Sequence, residues 1–349
     1  MMRTFARKQR WWLGRVAVLP LHMLVFSLIV FVLVRAIPGD PVAQLVGPNP
    51  TTESITAVRD SLGMNGTVFE QLRTFLGNVV TLDFGRSVIT GVPVWEEMTR
   101  RLLETIEFAV LASLGATVVT LGAGFLILLR PRNPLSGALR WYARTAGAIP
   151  DFVVGVAGIY LFYTLLPIAP APIGRYDPTL NAPTRITGFP TLDALLTGDT
   201  TLLSSMASHM VLPLVVLVVA YTPLLLKLFI RGLEDAVDAP PTRFRIASGA
   251  SRRAVILSVT RRAAPSAVAM FGTLFGFMLG GAVVVEQLFS MPGMGQYGVN
   301  AVNTSDFISL QGFLLLVAAI SLVVFLAVDI VNMLLDPRRR PGRRAEASS

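Results

Sequence analysis

FAVLASLGATVVTLGAGFLILL, residues Phe108–Leu129, runs without a charged side chain between Glu107 and Arg130. A helix rises about 1.5 Å per residue and needs about 20 predominantly apolar residues to cross a bilayer core of about 30 Å, so this stretch is long enough to span. Five similar windows lie on either side of it. Val16–Val34 sits between Arg15 and Arg35, and Phe152 to Leu166 extends a window that opens near Thr145, with Asp151 inside it. Further on come a window within Thr200 to Leu226, then Ala263 to Val285, then Phe307 to Val328 running past Asp329 to Leu335. The expected fold is an all-α polytopic membrane protein of about six transmembrane helices.

Composition agrees with a lipid solvent. The 349 residues are 53% hydrophobic and 15% charged, an apolar excess that a single soluble domain would struggle to hide from water. The formal charge of +9 raises the question of a nucleic-acid partner, and the positions of the charges answer it. With loops assigned to alternate sides, 22 of the 30 Lys and Arg fall on one face, in Arg3–Arg15, Arg130–Arg144, Lys227–Arg262 and Arg338–Arg344. By the positive-inside rule both termini are cytoplasmic, and basicity marks topology, with lipid rather than nucleic acid as the surrounding partner. Cysteine is absent and histidine is limited to His22 and His209, which excludes thiolate chemistry and argues against a metal centre. The first window is longer than a signal-peptide core, and Arg35-Ala36-Ile37-Pro38 is a poor cleavage site, so it is expected to remain as a span.

The windows divide the chain into a cytoplasmic start (1–15), a first span (16–34), an external loop region (35–104), a transmembrane core with five further helices (105–335) and a basic cytoplasmic tail (336–349). In the external region Ile55, Val58 and Leu62, then Leu72, Phe75, Leu76 and Val79, repeat with helical period and predict short amphipathic helices. Residues 167–206 form a second external loop rich in Pro, Thr and Gly. The longest cytoplasmic loop, 231–262, contains Arg-Phe-Arg-Ile-Ala-Ser-Gly (Arg243–Gly249), read as a short surface helix followed by a turn at Gly249.

Some residues stand out within the spans. Gly272, Gly276 and Gly280 recur every four residues and present a face on which another helix can approach closely, in this subunit or in a partner. Asp151, Glu286 and Asp329 are acids at or within apolar windows, where each must meet water, a partner or a proton. Asp151 and Glu286 fall near span ends; Asp329 is the better candidate for a buried polar contact. A nucleotide-binding P-loop needs Gly-Lys-Ser/Thr, but Lys8 and Lys227, the only lysines, precede Gln9 and Leu228. The chain is therefore not expected to be an enzyme, and it carries no catalytic constellation.

Several ordered motifs carry a resemblance that covers about Leu24 to Arg338. They are Val34-Arg-Ala-Ile-Pro-Gly-Asp-Pro41, Leu45-Val-Gly-Pro-Asn49, Asp83-Phe-Gly-Arg-Ser87 and Gly91-Val-Pro-Val94. Near the end come Gly280-Gly-Ala-Val-Val-Val-Glu286, Phe289-Ser-Met-Pro-Gly-Met-Gly295, Val328-Asp329 and Leu335-Asp-Pro-Arg338. With these the chain resembles the dipeptide, oligopeptide and nickel permease family of binding-protein-dependent ABC importers. The resemblance implies a type I importer fold in a bacterial or archaeal cytoplasmic membrane. It implies as partners a second permease subunit on a different chain, two cytoplasmic ATPases and an external solute-binding protein. Mg-ATP would be used by the ATPases, and no cofactor would sit on this chain. It assigns Arg243, Phe244, Arg245, Ala247, Ser248 and Gly249 to a coupling helix that docks on an ATPase, although Phe244 and Arg245 stand where the family usually has small residues and Pro240-Pro241 precede them. Glu286 and Asp329 belong to the family pattern, which implies a structural or gating role. The competing expectation is an ion-coupled secondary transporter with Asp329 as its titrating group.

Overall fold

The computed structural model describes residues 11–36, 51, 52, 56 and 66–335, the side chains of 11–15, 264–274, 277, 279, 328 and 331–335 excepted. The short amphipathic helix expected at Ile55, Val58 and Leu62, the motif residues 37–49, the basic tail and the surroundings of Gly272 lie outside the described residues. Among the described residues the chain forms eleven α-helices: α1 Trp11–Ala36, α2 Val68–Thr81, α3 Val94–Leu129, α4 Pro134–Thr145, α5 Asp151–Ile159, α6 Pro190–Thr197, α7 Thr200–Asp238, α8 Pro240–Ala247, α9 Arg252–Leu288, α10 Met294–Asn303 and α11 Phe307–Leu335.

Segments of α1 and α11 and the whole of α3 and α7 are long and apolar enough to cross a membrane. The window at 263–285 lies inside the 37-residue α9. The window that opens near Thr145 is not one straight helix. Pro150 holds Ile149 extended (φ −82°, ψ 123°), so α4 with its terminal 3-10 turn meets α5 and the π-helical turn Tyr160–Leu165 at 107°. α3 also starts earlier than expected, at Val94, because Glu96 and Glu97 sit in its first turn, where the helix dipole favours acids.

Local signals explain the element ends. Thr67 and Glu70 close a capping box on α2, and Leu82 in left-handed conformation ends it. Asn133 caps α4 ahead of Pro134, Asp199 caps α7 and Ser251 caps α9.

The chain divides into two compact units. One comprises Leu13–Leu103 and Gly293–Leu322. Its core joins Val30 and Val34 of α1 to Phe307, Leu310 and Leu315 of α11, and Val94 and Met98 to Met294 and Tyr297. The other is built on Glu104–Pro292 with α11 from Val323 onward. There Phe108, Ala112 and Ala116, spaced by four on α3, meet Met210, Val216 and Leu217 of α7 and Met278, Ala282 and Val285 of α9. Small residues at that spacing bring helix backbones close, which is how helices gain contact energy where lipid is as apolar as leucine.

Candidate coupling site and buried polar contacts

α8 is held in a tight corner between the two longest helices. Ala239 is extended after α7, and Pro240 starts α8 at a position whose N–H would be unpaired in any case. Thr242 is fully buried and its hydroxyl donates to the Ala236 carbonyl at 2.7 Å, folding α8 onto the last turn of α7. At the other end Ala250 N donates to the Arg245 carbonyl at 3.0 Å and Gly249 N to the Ile246 carbonyl at 3.1 Å. This is a Schellman turn, and it requires the left-handed Gly249 (φ +73°). Arg252, in the first turn of α9, donates to the Leu129 carbonyl at 3.2 Å and ties the corner to the end of α3.

The residues proposed from sequence for coupling lie on α8 and the turn that ends it, and Arg243, Phe244, Arg245, Ala247, Ser248 and Gly249 are all exposed. Phe244 is 73% and Ile246 57% exposed, two apolar side chains on a short helix flanked by cations. The Arg243–Asp238 pair at 3.5 Å is surface-exposed on both sides and contributes little.

The other site residues sort differently. Glu286 is buried and accepts a hydrogen bond from the Thr105 hydroxyl at 2.6 Å, linking α9 to α3. Asp329 is half-buried in α11. Within the glycine row, Gly276 packs on the Phe325 ring, whereas a methyl group on Gly280 would meet nothing within 4 Å among the described residues. The most tightly enclosed glycine of that segment is its neighbour Gly281, where a methyl group would collide with the Tyr221 hydroxyl and lie 2.8 Å from Asp151 Oδ2.

Four polar contacts were not foreseen. In the unit built on Glu104–Pro292, the buried Arg175 pairs with Glu107 at 3.1 Å and donates to the Glu104 carbonyl at 3.2 Å. Thr191 N–H also donates to Glu107, so the external loop is pinned at two points. Asp193 accepts from the N–H and hydroxyl of Thr187, each at 2.6 Å, and from Gly188 N–H at 3.0 Å. Burial alone would raise its pKa; these hydrogen bonds outweigh burial and hold it below the ordinary carboxylate value. Tyr221 of α7 donates to Asp151 of α5 at 3.4 Å. In the other unit the buried Asp306 accepts from Ser87 at 2.5 Å and from the Ser309 hydroxyl and N–H, locking the Asp83–Ser87 motif to the start of α11. Asp306 was legible as an N-cap, being an Asp three residues before Ser309 at the head of an apolar run. No sequence signal joins Arg175 to Glu107 or Asp151 to Tyr221.

Comparison with known proteins places these features in a family. Residues 116–341 match the family described as "Binding-protein-dependent transport system inner membrane component". Residues 8–109 match its companion, "Binding-prot-dependent transport system membrane comp, N-term". The chain is 30% identical over 312 residues to the probable D,D-dipeptide transport system permease protein DdpB of Escherichia coli K12, covering 89% of this chain and 91% of that protein. It is 28% identical over 321 residues to the dipeptide transport system permease protein DppB of the same organism, covering 90% and 94%. It is 26% identical over 336 residues to the metal-staphylopine import system permease protein CntB of Staphylococcus aureus, covering 95% and 98%. The chain belongs to the family of inner-membrane components of binding-protein-dependent transport systems, the permease subunits of ABC importers.

Proposed function

We propose that the chain is one of two permease subunits forming the translocation pathway of an ATP-driven importer for short peptides or peptide-like compounds, in a bacterial or archaeal cytoplasmic membrane. A different chain supplies the second permease, an external solute-binding protein delivers the substrate, and two cytoplasmic ATPases bind and hydrolyse Mg-ATP. The peptide class rests on similarity to permeases named for D,D-dipeptide and dipeptide transport.

The observation that carries the ATPase reading is α8, an apolar-tipped helix exposed between α7 and α9 and fixed at both ends by Thr242 and the Gly249 turn. Docked in a groove of the ATPase, it would transmit closure of the ATPases to α7 and α9, shifting the spans between outward-open and inward-open states.

Burying Phe244 on docking is worth about 1.5–3 kcal/mol, so Phe244→Asp is expected to weaken ATPase association by about ten- to a hundredfold. Gly249→Trp, forced into a left-handed backbone, is expected to uncouple ATP hydrolysis from uptake while the chain still inserts. Proteoliposomes holding the complete importer would report both. Normal transport with either change refutes the coupling assignment.

A further inference from the structure

We infer that α4, with the arginines gathered at its start, binds the phosphate of an anionic phospholipid at the cytoplasmic surface of the membrane. Two span ends agree on where the helix lies. Leu139, Tyr142 and Ala143 of α4 pack on Ala123 and Ile127, in the last two turns of α3, and on Leu226 and Ile230 of α7. Arg130 closes the apolar window of α3 and Lys227 that of α7, so α4 sits at the level where both windows give way to cations. Further along, Gly147 meets Leu224, three residues from Lys227 and about 5 Å from it along the helix axis. The 107° break at Pro150 then turns the chain, so that α4 lies across the apolar helix that follows rather than continuing into it.

Four guanidinium groups gather where α4 begins. Arg140 donates to the Pro131 carbonyl at 3.1 Å and Arg252 to the Leu129 carbonyl at 3.2 Å, acceptors only two residues apart. Arg130 and Arg132 belong to that same turn, which is closed on the Arg130 carbonyl by Asn133 N–H at 3.1 Å and by the Ser136 hydroxyl at 2.8 Å. None of the four arginines forms an ion pair among the described residues, and no Asp or Glu occurs between Glu107 and Asp151. Like charges held together in this way favour an anion, and the planar guanidinium matches phosphate oxygens with paired hydrogen bonds. The outer face of α4 is apolar. Ser136 and Ala143 are buried, while on the opposite side Ala138 is exposed and Trp141 is 68% exposed, with Leu135 on the flank at 55%. A soluble anion makes no use of such a face. A phospholipid uses both features, its acyl chains covering Trp141 and Leu135 while its phosphate meets the arginines, which is how basic amphipathic helices settle in an interface.

The test uses the full chain in phosphatidylcholine nanodiscs, with Trp11, Trp12 and Trp95 replaced by Phe so that Trp141 alone of the 4 tryptophans reports. Dibrominated phosphatidylglycerol or dibrominated phosphatidylcholine is included at equal mole fraction, and bromine quenches the indole only on contact. One arginine near a membrane surface strengthens association with anionic lipid about fivefold, so phosphatidylglycerol is expected to associate at Trp141 at least about fivefold more strongly than phosphatidylcholine. Arg130→Gln with Arg132→Gln should reduce that preference by about fivefold or more, and Arg130→Lys with Arg132→Lys should keep most of it. Equal quenching by the two lipids before any arginine is changed overturns the phosphate site. Quenching by neither overturns the placement of α4 in the interface as well, and a preference that survives in the Gln pair overturns the role given to these arginines. A Gln pair that keeps the lipid preference but no longer co-purifies with the ATPases in the complete importer assigns the face to a protein partner and overturns the lipid site.

Discussion

Replacing Arg175 by alanine removes the cation from a buried pair whose members are 3% and 8% exposed, and leaves Glu107 with only the Thr191 N–H to hold its charge. Breaking such a pair from one side costs about 3–5 kcal/mol, because the survivor is an uncompensated buried ion. Glu107→Leu takes the nearer carboxylate from Arg175, which keeps the Glu104 carbonyl and the Glu104 carboxylate at 4.0 Å, so it costs toward the lower end of that range. If the two losses were independent they would sum to about 6–10 kcal/mol. The double variant Arg175→Met with Glu107→Leu replaces both ions with apolar side chains of similar size, leaving the Thr191 N–H unpaired and Glu104 without the guanidinium 4.0 Å away. It is expected to cost about 1–3 kcal/mol, less than either single change. The chain has no cysteine, so Ala194→Cys supplies a single buried thiol in α6, beneath the loop that the pair pins. The labelling rate of that thiol reports opening of the loop. It should rise by about a hundredfold or more in each single variant and by much less in the double. Additive effects would refute the reading of Arg175–Glu107 as a coupled clasp, and labelling unchanged by Arg175→Ala would refute the claim that it anchors the loop at all.

Other outcomes follow from the same geometry. Asp193 has a lowered pKa in the fold, so its contribution is fully present above its unfolded value of about 4 and lost as pH falls through the lower folded value. Hydrogen exchange at Thr187 and Gly188, corrected for intrinsic rates, should stay slow at pH 5 and speed up only well below pH 4, while Asp193→Asn should show no such transition. Gly281→Ala should destabilise by about 1–3 kcal/mol through collision with Tyr221, measured as loss of folded protein on heating in detergent, and Tyr221→Phe should recover part of it. Gly298→Ala, whose methyl would lie 2.5 Å from the Phe313 ring, should cost a similar amount, whereas Gly280→Ala should leave the isolated chain unaffected. A Gly280 effect seen only in the assembled importer would locate that glycine against the second permease.

What could be read from sequence was what repeats or what must be paid locally. Apolar windows declared the spans, because the length requirement applies to every residue of a crossing helix. The turn after α8 was visible at Gly249, because a left-handed residue in a Schellman turn selects glycine almost alone. The third window misled in one respect. Its hydropathy is continuous from Thr145 to Leu166, yet Pro150 divides it into two helices at 107°, a backbone event that hydropathy does not register. Spacing by four along the glycine row could not say that Gly276 meets Phe325, that Gly280 meets nothing among the described residues, or that Gly281 is the more closely enclosed neighbour. Arg175 with Glu107, and Asp151 with Tyr221, are joined across 68 and 70 residues, and no single sequence encodes such partnerships in its spacing.

The coupling helix and the Tyr221–Asp151 contact are mechanically joined, and the joint lies in α7. α8 is clasped to Ala236 near one end of α7, and Tyr221 sits fifteen residues further along the same helix, about 22 Å away. Between them the helix is uninterrupted except at Pro223, two residues from Tyr221, which removes the backbone hydrogen bond to the Val219 carbonyl and gives the helix its natural point of bending. Pro223 is buried with Leu224 and Pro223 both facing Gly147, on the segment that leads through Pro150 into Asp151. A push on α8 therefore reaches the Tyr221–Asp151 contact through a stiff arm and a hinge placed beside it. The contact itself, at 3.4 Å, is long enough to be made or broken by a small rotation of that hinge. Replacing Pro223 with alanine adds an N–H that can donate to the Val219 carbonyl, which now accepts from the Tyr142 hydroxyl at 2.6 Å, and stiffens the arm. If bending at Pro223 links the two sites, that variant should bind the ATPases and hydrolyse ATP as before while uptake falls several-fold; unchanged uptake would mean that motion from α8 reaches the pathway through α9 alone.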